Sequence, residues 1–190
     1  MNTVDDVAAA VDAGKLVVIP TDTIYGLACR PDREDAVGAL SALKQRSPEQ
    51  PIALVASGAE PLRELIPELP ADLLVRGAFT LVVSNPAHRL PWLGGAGTIG
   101  VRIPEVTGLA AELLARVGVV AATSANLHGG ANPRRVGDIP AEIFDGVAAT
   151  LDVGALPGTP STVVDLTGAE PRVLREGAVP AAEALARYWK

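Results

Sequence analysis

The sequence predicts an α/β domain on a mixed, twisted sheet, and three observations carry that prediction. Short aliphatic runs ending at Pro, Gly or a polar turn recur along the chain and outnumber the helical stretches. The two kinds of segment alternate from one end to the other, which is the pattern of a layered α/β domain. Apolar residues make up 48% and charged residues 20% of the 190 residues, with only 3% aromatics. The core is therefore aliphatic, and the chain is long enough to bury it within one domain spanning residues 1–190.

Residues 4–13 repeat apolar side chains at helical spacing, and Gly14 stops the helix. KLVVIP (15–20) reads as a buried strand that ends at Pro20 and runs into the polar turn Thr21-Asp22-Thr23. A second helix covers 32–43, with Ala36, Val37, Leu40 and Leu43 on one face. Residues 51–55 form a short strand. Residues 61–74 hold two helical pieces split by Pro67 and Pro70. Strand 79–83 follows. The glycine turn 93–97 feeds strand 98–103, which stops at Pro104. Helix 108–116 leads to strand 119–122, which opens into Thr123-Ser124-Ala125-Asn126. A loop at Gly129, Gly130 and Pro133, a short helix over 139–144, strands at 148–153, 161–165 and 172–175, and a helix over 180–189 complete the chain.

Several classes of function are excluded. No G-x-G-x-x-G follows the first strand, and no G-x-x-x-x-G-K-[ST] or G-x-S-x-G occurs. His88 and His128 belong to no metal-spaced pair. The net charge of -6 opposes nucleic-acid binding through the overall field, although it leaves room for a local basic patch. No apolar run approaches the roughly 20 residues that span a bilayer. The acidic N-terminal stretch lacks an export signal, and the single Cys29 forms no intrachain disulfide. Together these predict a cytoplasmic protein without a membrane segment.

What remains is a set of cations and hydroxyls at strand and helix exits. Lys44 and Arg46 follow the second helix, and taken alone they read as a solvated helix end beside the dipole. Arg102 interrupts TIGVRIP and is either on a solvent face or aimed at an anion. Arg134 and Arg175 share that ambiguity. Ser124 and Asn126 end an aliphatic strand, where ligands sit in α/β sheets, or else they cap a turn. Ser161 and Thr162 begin one strand, and Thr23 ends another. A site rich in Arg, Lys, Ser, Thr and Asn but poor in bases suits phosphoryl or carboxylate groups, which need positioning and charge neutralisation more than proton abstraction.

The segments PTDTIYGLAC, KQRS with the following QP, TIGVRIP, TSANLHGG, PSTVVDLTG and VLREG occur in the order seen in the YrdC-like threonylcarbamoyl-AMP synthases, which the chain resembles from about residue 17 to 177. It resembles the short, single-domain members. The resemblance implies a twisted mixed sheet with helices on both sides and a concave, cation-lined cavity. It implies synthesis of L-threonylcarbamoyl-AMP from L-threonine, bicarbonate and ATP, with release of pyrophosphate and with Mg²⁺ accompanying ATP. The product would pass to tRNA-modification proteins that complete the threonylcarbamoyl group on adenosine 37 of tRNA. Lys44 and Arg46 would be catalytic, neutralising the phosphates. Thr23, Arg102, Ser124 and Ser161 would bind threonine. Gln50, Thr98, Asn126, Arg134 and Arg175, with Lys44 and Arg46, would bind the nucleotide.

The sequence departs from the family pattern at five places. Ser47 and Gln50 stand where a proline and an asparagine are usual, and Val55 stands where a histidine is frequent. The W-P-G-P-x-T segment is Arg76-Gly-Ala-Phe-Thr80, and His128 replaces a small hydroxyl residue. Two other readings compete. One is an RNA-binding module without turnover, taking tRNA or double-stranded RNA by backbone contacts. The sparse aromatics and the lack of any basic run oppose it and leave at most a weak tRNA contact. The other is a related carbamoyl-adenylate domain acting on another amine, as in hydrogenase-maturation proteins.

Overall fold

The computed structural model describes residues 2–47, 49–95 and 97–188. The elements in order are α1 (Val4–Asp12), β1 (Val17–Pro20), β2 (Tyr25–Cys29), α2 (Glu34–Leu43), β3 (Ala53–Ala56), α3 (Ala59–Leu65), β4 (Phe79–Ser84), β5 (Thr98–Arg102), α4 (Gly108–Val117), β6 (Val119–Ser124), α5 (Ala141–Asp145), β7 (Ala149–Thr150), β8 (Thr162–Asp165), β9 (Arg172–Arg175) and α6 (Ala181–Tyr188). The strands form one nine-stranded sheet in the order β7-β1-β2-β6-β3-β5-β4-β8-β9. Pairs β1/β7, β3/β5 and β4/β8 are parallel and the others antiparallel, so the sheet is mixed as expected.

The predicted elements recur with shifted ends. Strand 148–153 shrinks to two residues, and the second helical piece within 61–74 becomes a 3₁₀ turn at Ala71–Leu73. Trp189, at the end of the predicted last helix, lies outside the described residues. One strand is additional. Residues Tyr25–Cys29 pair antiparallel with β1 across the loop Thr21-Asp22-Thr23-Ile24. All five are buried, so no alternation marks them, and Gly26 interrupts the aliphatic run.

Both faces of the sheet carry helices. Helices α2, α3, α5 and α6 pack Val37, Leu40, Leu62, Ile143 and Ala184 onto one face, against Leu27, Leu54, Leu81, Val101 and Val164. On the other face α1 and α4 bury Val7, Val11, Leu113 and Leu114 over β1, β2, β6 and β7. The second layer stops there, and the face made by β3, β5, β4 and β8 is left open. Strand alternation does the rest. β4 sends Phe79, Leu81 and Val83 into the core and Thr80 and Val82 to the open face. β5 does the same with Ile99 and Val101 against Thr98, Gly100 and Arg102.

Candidate active site

The open face is the floor of a cavity of about 510 Å³, within the roughly 300–1,000 Å³ range of small-molecule sites. Its centre is small and apolar: Ala53, Val55, Val82, Gly100, Ala122 and Val163. A Cβ on Gly100 would stand 3.2 Å from that of Ala53, so glycine keeps the floor low. The polar groups gather toward two ends. By the strand register Ser124 and Thr98 flank Pro51 at one end, while Val55, Thr80 and Arg102 meet at the other. Thr98 and Arg102 are four residues apart on one strand, or roughly 13 Å.

Lys44 and Arg46 stand behind the first end, and the way α2 stops explains their placement. Gln45 has φ 54, its N–H donates to Ala42 O at 3.0 Å, and Arg46 N–H donates to Ser41 O at 3.1 Å. This is a Schellman C-cap with a non-glycine residue in the left-handed position. The reversal turns both flanking cations back under the sheet end. Lys44 is 4% exposed. Its ammonium donates to the carbonyls of Ser124 at 2.5 Å and Asn126 at 2.6 Å, and to Asn126 Oδ1 at 3.0 Å. Ser124 Oγ donates to Asn126 Oδ1 at 2.5 Å, and Asn126 Nδ2 donates to Gly130 O at 2.6 Å. Lys44 thus ties the Thr123-Ser124-Ala125-Asn126 turn from beneath, and it is not a solvated helix end. Burial first, and the charge of Arg46 second, push its pKa down to about 8. Arg46 donates to Pro51 O at 3.0 Å and Thr123 Oγ1 at 3.3 Å, while its Nε is buried with no partner.

The second end is built on Arg102, which is 8% exposed. The β1–β2 loop supplies its partners. Thr21 Oγ1 donates to Ile24 O at 2.8 Å and accepts from the Ile24 and Thr23 amides. The tightened loop directs Asp22 and Thr23 at the guanidinium. Arg102 Nη2 ion-pairs with Asp22 and donates to Thr23 Oγ1 at 2.9 Å. Asp22 also accepts the Glu105 amide at 2.9 Å. Arg102 Nε is buried and has no partner. Burial pulls the guanidinium below its ordinary pKa, against the opposing effect of Asp22. Arg102 is thus an enclosed arginine, paired with Asp22 and keeping one donor unused, which makes it a candidate contact for an anion. Beside it Ser161 Oγ and Thr80 Oγ1 share a hydrogen bond of 2.8 Å. Arg175 donates through Nη2 to Ser161 O at 2.8 Å.

The structure therefore brings together Lys44, Arg46, Ser124, Asn126 and Thr98 at one end and Thr23, Arg102, Ser161 and Arg175 at the other. The expected threonine set is split, since Ser124 belongs to the Lys44 end. Arg175 stands at the Arg102 end, away from the other expected nucleotide contacts. Of the predicted site residues, Thr23, Lys44, Arg46 and Asn126 stand behind the cavity wall and, like Gln50 and Arg134, are not among the residues lining it; Arg134 lies exposed with its Nε on Leu156 O at 3.2 Å. Five lining or supporting polar residues were not singled out from sequence: Asp22 as the partner of Arg102, and Thr80, Asn132, Asp165 and Thr167. Only Thr80 had a local signal, as the polar position in the alternating run FTLVV.

An open sheet face with a small apolar floor, hydroxyls along its length and buried cations near both ends defines an α/β protein with a polar-ended small-molecule cavity. The chain belongs to the Sua5/YciO/YrdC family, whose model, described as "Telomere recombination", matches residues 9–177. A Mycobacterium tuberculosis protein named "Putative threonylcarbamoyl-AMP synthase" is 40% identical over 179 residues, covering 90% of this chain and 82% of its own length. The Pyrococcus abyssi Sua5 structure complexed with L-threonine superposes with a TM-score of 0.87 at 30% identity, over 97% of this chain and 56% of that one. Escherichia coli YciO superposes with a TM-score of 0.71 at 24% identity, over 93% and 90% of the two chains, and shows the shared fold.

Proposed function

We propose that this chain is an L-threonylcarbamoyl-AMP synthase, joining L-threonine, bicarbonate and ATP and releasing pyrophosphate. The observation that carries the reading is Arg102, a buried guanidinium with an unpartnered Nε at one end of a hydroxyl-lined cavity. The relatives named as synthases and the threonine-bound relative support it. Threonine's carboxylate would be drawn to the Arg102 guanidinium, with Thr23, Thr80 and Ser161 beside it. The other end would take the triphosphate, with Thr98 and Ser124 facing it and Arg46 and Lys44 as fixed positive charge behind.

The reaction balances with no protein nucleophile. The threonine amine bonds to the bicarbonate carbon with loss of water, giving a carbamate. A carbamate oxygen then bonds to the α-phosphorus as the bond to the β-phosphate oxygen breaks. The residues position two anions and offset their charge, which is the larger part of such a barrier. The cations are already in place, so little reorganises during the step.

Mg²⁺ would accompany ATP. Among the described residues no group of three His, Cys, Asp or Glu side chains could cage a metal. A Mg²⁺ held by the phosphates and one carboxylate needs no such cage, and Asp165 is the one carboxylate among the described lining residues. When bound, the ion neutralises phosphate charge. The product would pass to partners that transfer the threonylcarbamoyl group to tRNA. Among the described residues no helix is long and apolar enough to cross a membrane.

Pyrophosphate release tests the assignment. With purified, folded protein, Lys44→Ala, Arg46→Ala and Arg102→Ala are each expected to cut threonine-dependent release by about a hundredfold or more. Unchanged release in all three variants contradicts the roles given to these cations.

A further inference from the structure

The segment after β9 does more than close the sheet. It is laid directly against the strand start that carries Ser161. Thr162, 0% exposed, sits at the centre. Its hydroxyl accepts the amides of Gly177 at 3.0 Å and Val179 at 3.1 Å and donates to Val179 O at 2.5 Å. The Ala178 amide donates to Pro160 O at 2.8 Å. A Cβ on Gly177 would stand 2.2 Å from Pro160 O, so the strap approaches as closely as a backbone can. Arg175 enters the same contact through Ser161 O.

The partner hydroxyl is held by the same unit. Ser161 Oγ reaches Thr80 Oγ1 at 2.8 Å. Phe79, the neighbour of Thr80, meets Tyr188 of α6 edge-on with ring centroids 6.2 Å apart, and Arg187 lies 5.1 Å over the same ring. Glu176 joins strap to helix by accepting the Ala181 amide at 3.1 Å. Residues 175–188 thus clamp both β4 and β8 where they present the Thr80–Ser161 pair beside Arg102.

We infer that Thr162 is a positioning residue: through its three hydrogen bonds the C-terminal strap sets Ser161 and Thr80 for the amino-acid substrate. Thr162 does not line the cavity and acts only through Ser161. The inference rests on the synthase reading, because it assigns this end of the cavity to threonine. A purely structural hydroxyl would affect stability, or both substrates alike. A positioning hydroxyl should affect the substrate at its own end. A misplacement of well under 1 Å suffices, since a hydrogen bond weakens steeply with geometry.

The test is steady-state pyrophosphate release by the full chain, with threonine and ATP varied separately. Thr162→Val keeps the shape and removes the hydroxyl. It is expected to raise KM for threonine about tenfold, the scale of one lost buried hydrogen bond, with KM for ATP within about twofold. Thr162→Ser restores the hydroxyl and should bring KM for threonine back. Thr162→Cys keeps the size with a much weaker donor and acceptor, carries the same expectation in smaller measure, and decides the matter should Thr162→Val fail to fold. Unchanged KM for threonine, or equal rises for both substrates, overturns the inference alone. A wild-type protein that makes no threonine-dependent product overturns the synthase reading and the inference with it.

Discussion

Lys44 and Arg102 show how much a single residue can hide. Each looks like an ordinary surface cation in sequence, yet their exposures are 4% and 8%. What buries them comes from far away: Ser124 and Asn126 for Lys44, about eighty positions on, and Asp22 for Arg102. A local pattern cannot announce such partners, which is why Arg102 was legible as a candidate but Asp22 was not legible as its counterion. Burial also gives Lys44 a pH signature. Its pKa falls from 10.5 to about 8. Between those values the unfolded chain holds a proton that the folded chain has released. Unfolding free energy therefore gains from this group as pH rises from about 8 to about 10.5, and the buried charge costs stability below that window. Lys44→Met removes the titration. The stability difference, wild type minus variant, should grow across the window in urea unfolding, and a flat difference contradicts the burial account. In the wild type, kcat/KM for ATP should fall above pH 8 as the charge is lost.

At the scale of elements, the decisive feature is how α2 ends. The helix was readable from its apolar face, and Lys44 and Arg46 from their position. Their direction was not readable, because it depends on Gln45 taking φ 54, a conformation more usual for glycine. That strain makes a prediction. Gln45→Gly relieves the left-handed penalty and loses some of the gain to a freer unfolded chain. It should stabilise the protein by about 1 kcal/mol, or roughly 2–4 °C in Tm. Gln45→Val, β-branched in the same position, should destabilise it. Calorimetry of both variants checks the pair, and a destabilised glycine variant would mean the cap is not strained. The strand missed in sequence, β2, has a related explanation. Its residues are buried on both faces and begin directly after a tight four-residue loop, so neither alternation nor a break sets them apart.

For the whole molecule, the cavity follows from unequal coverage. Four helices cover one face of the sheet and two cover only the β7-β1-β2-β6 side of the other, so half a face is left as a floor. The strands β4 and β5 were visible in sequence as aliphatic runs, and Arg102 stood out as the polar interruption of β5, which made the sheet and one of its polar positions legible. The number of helices on each face was not, because it depends on strand order, and strand order is set by contacts between distant segments. The same order explains why the polar groups divide toward two ends: β5 runs from Thr98 to Arg102 across the floor. A cavity with buried cations near each end fits the proposed joining of two anionic substrates. That joining is tested most directly by incubating the protein with ATP, Mg²⁺, bicarbonate and each amino acid in turn, and by following products by mass spectrometry. The expected product is an adenylated carbamate with threonine, carrying the label when isotopically labelled bicarbonate is supplied. No adenylated product with any amino acid would contradict it.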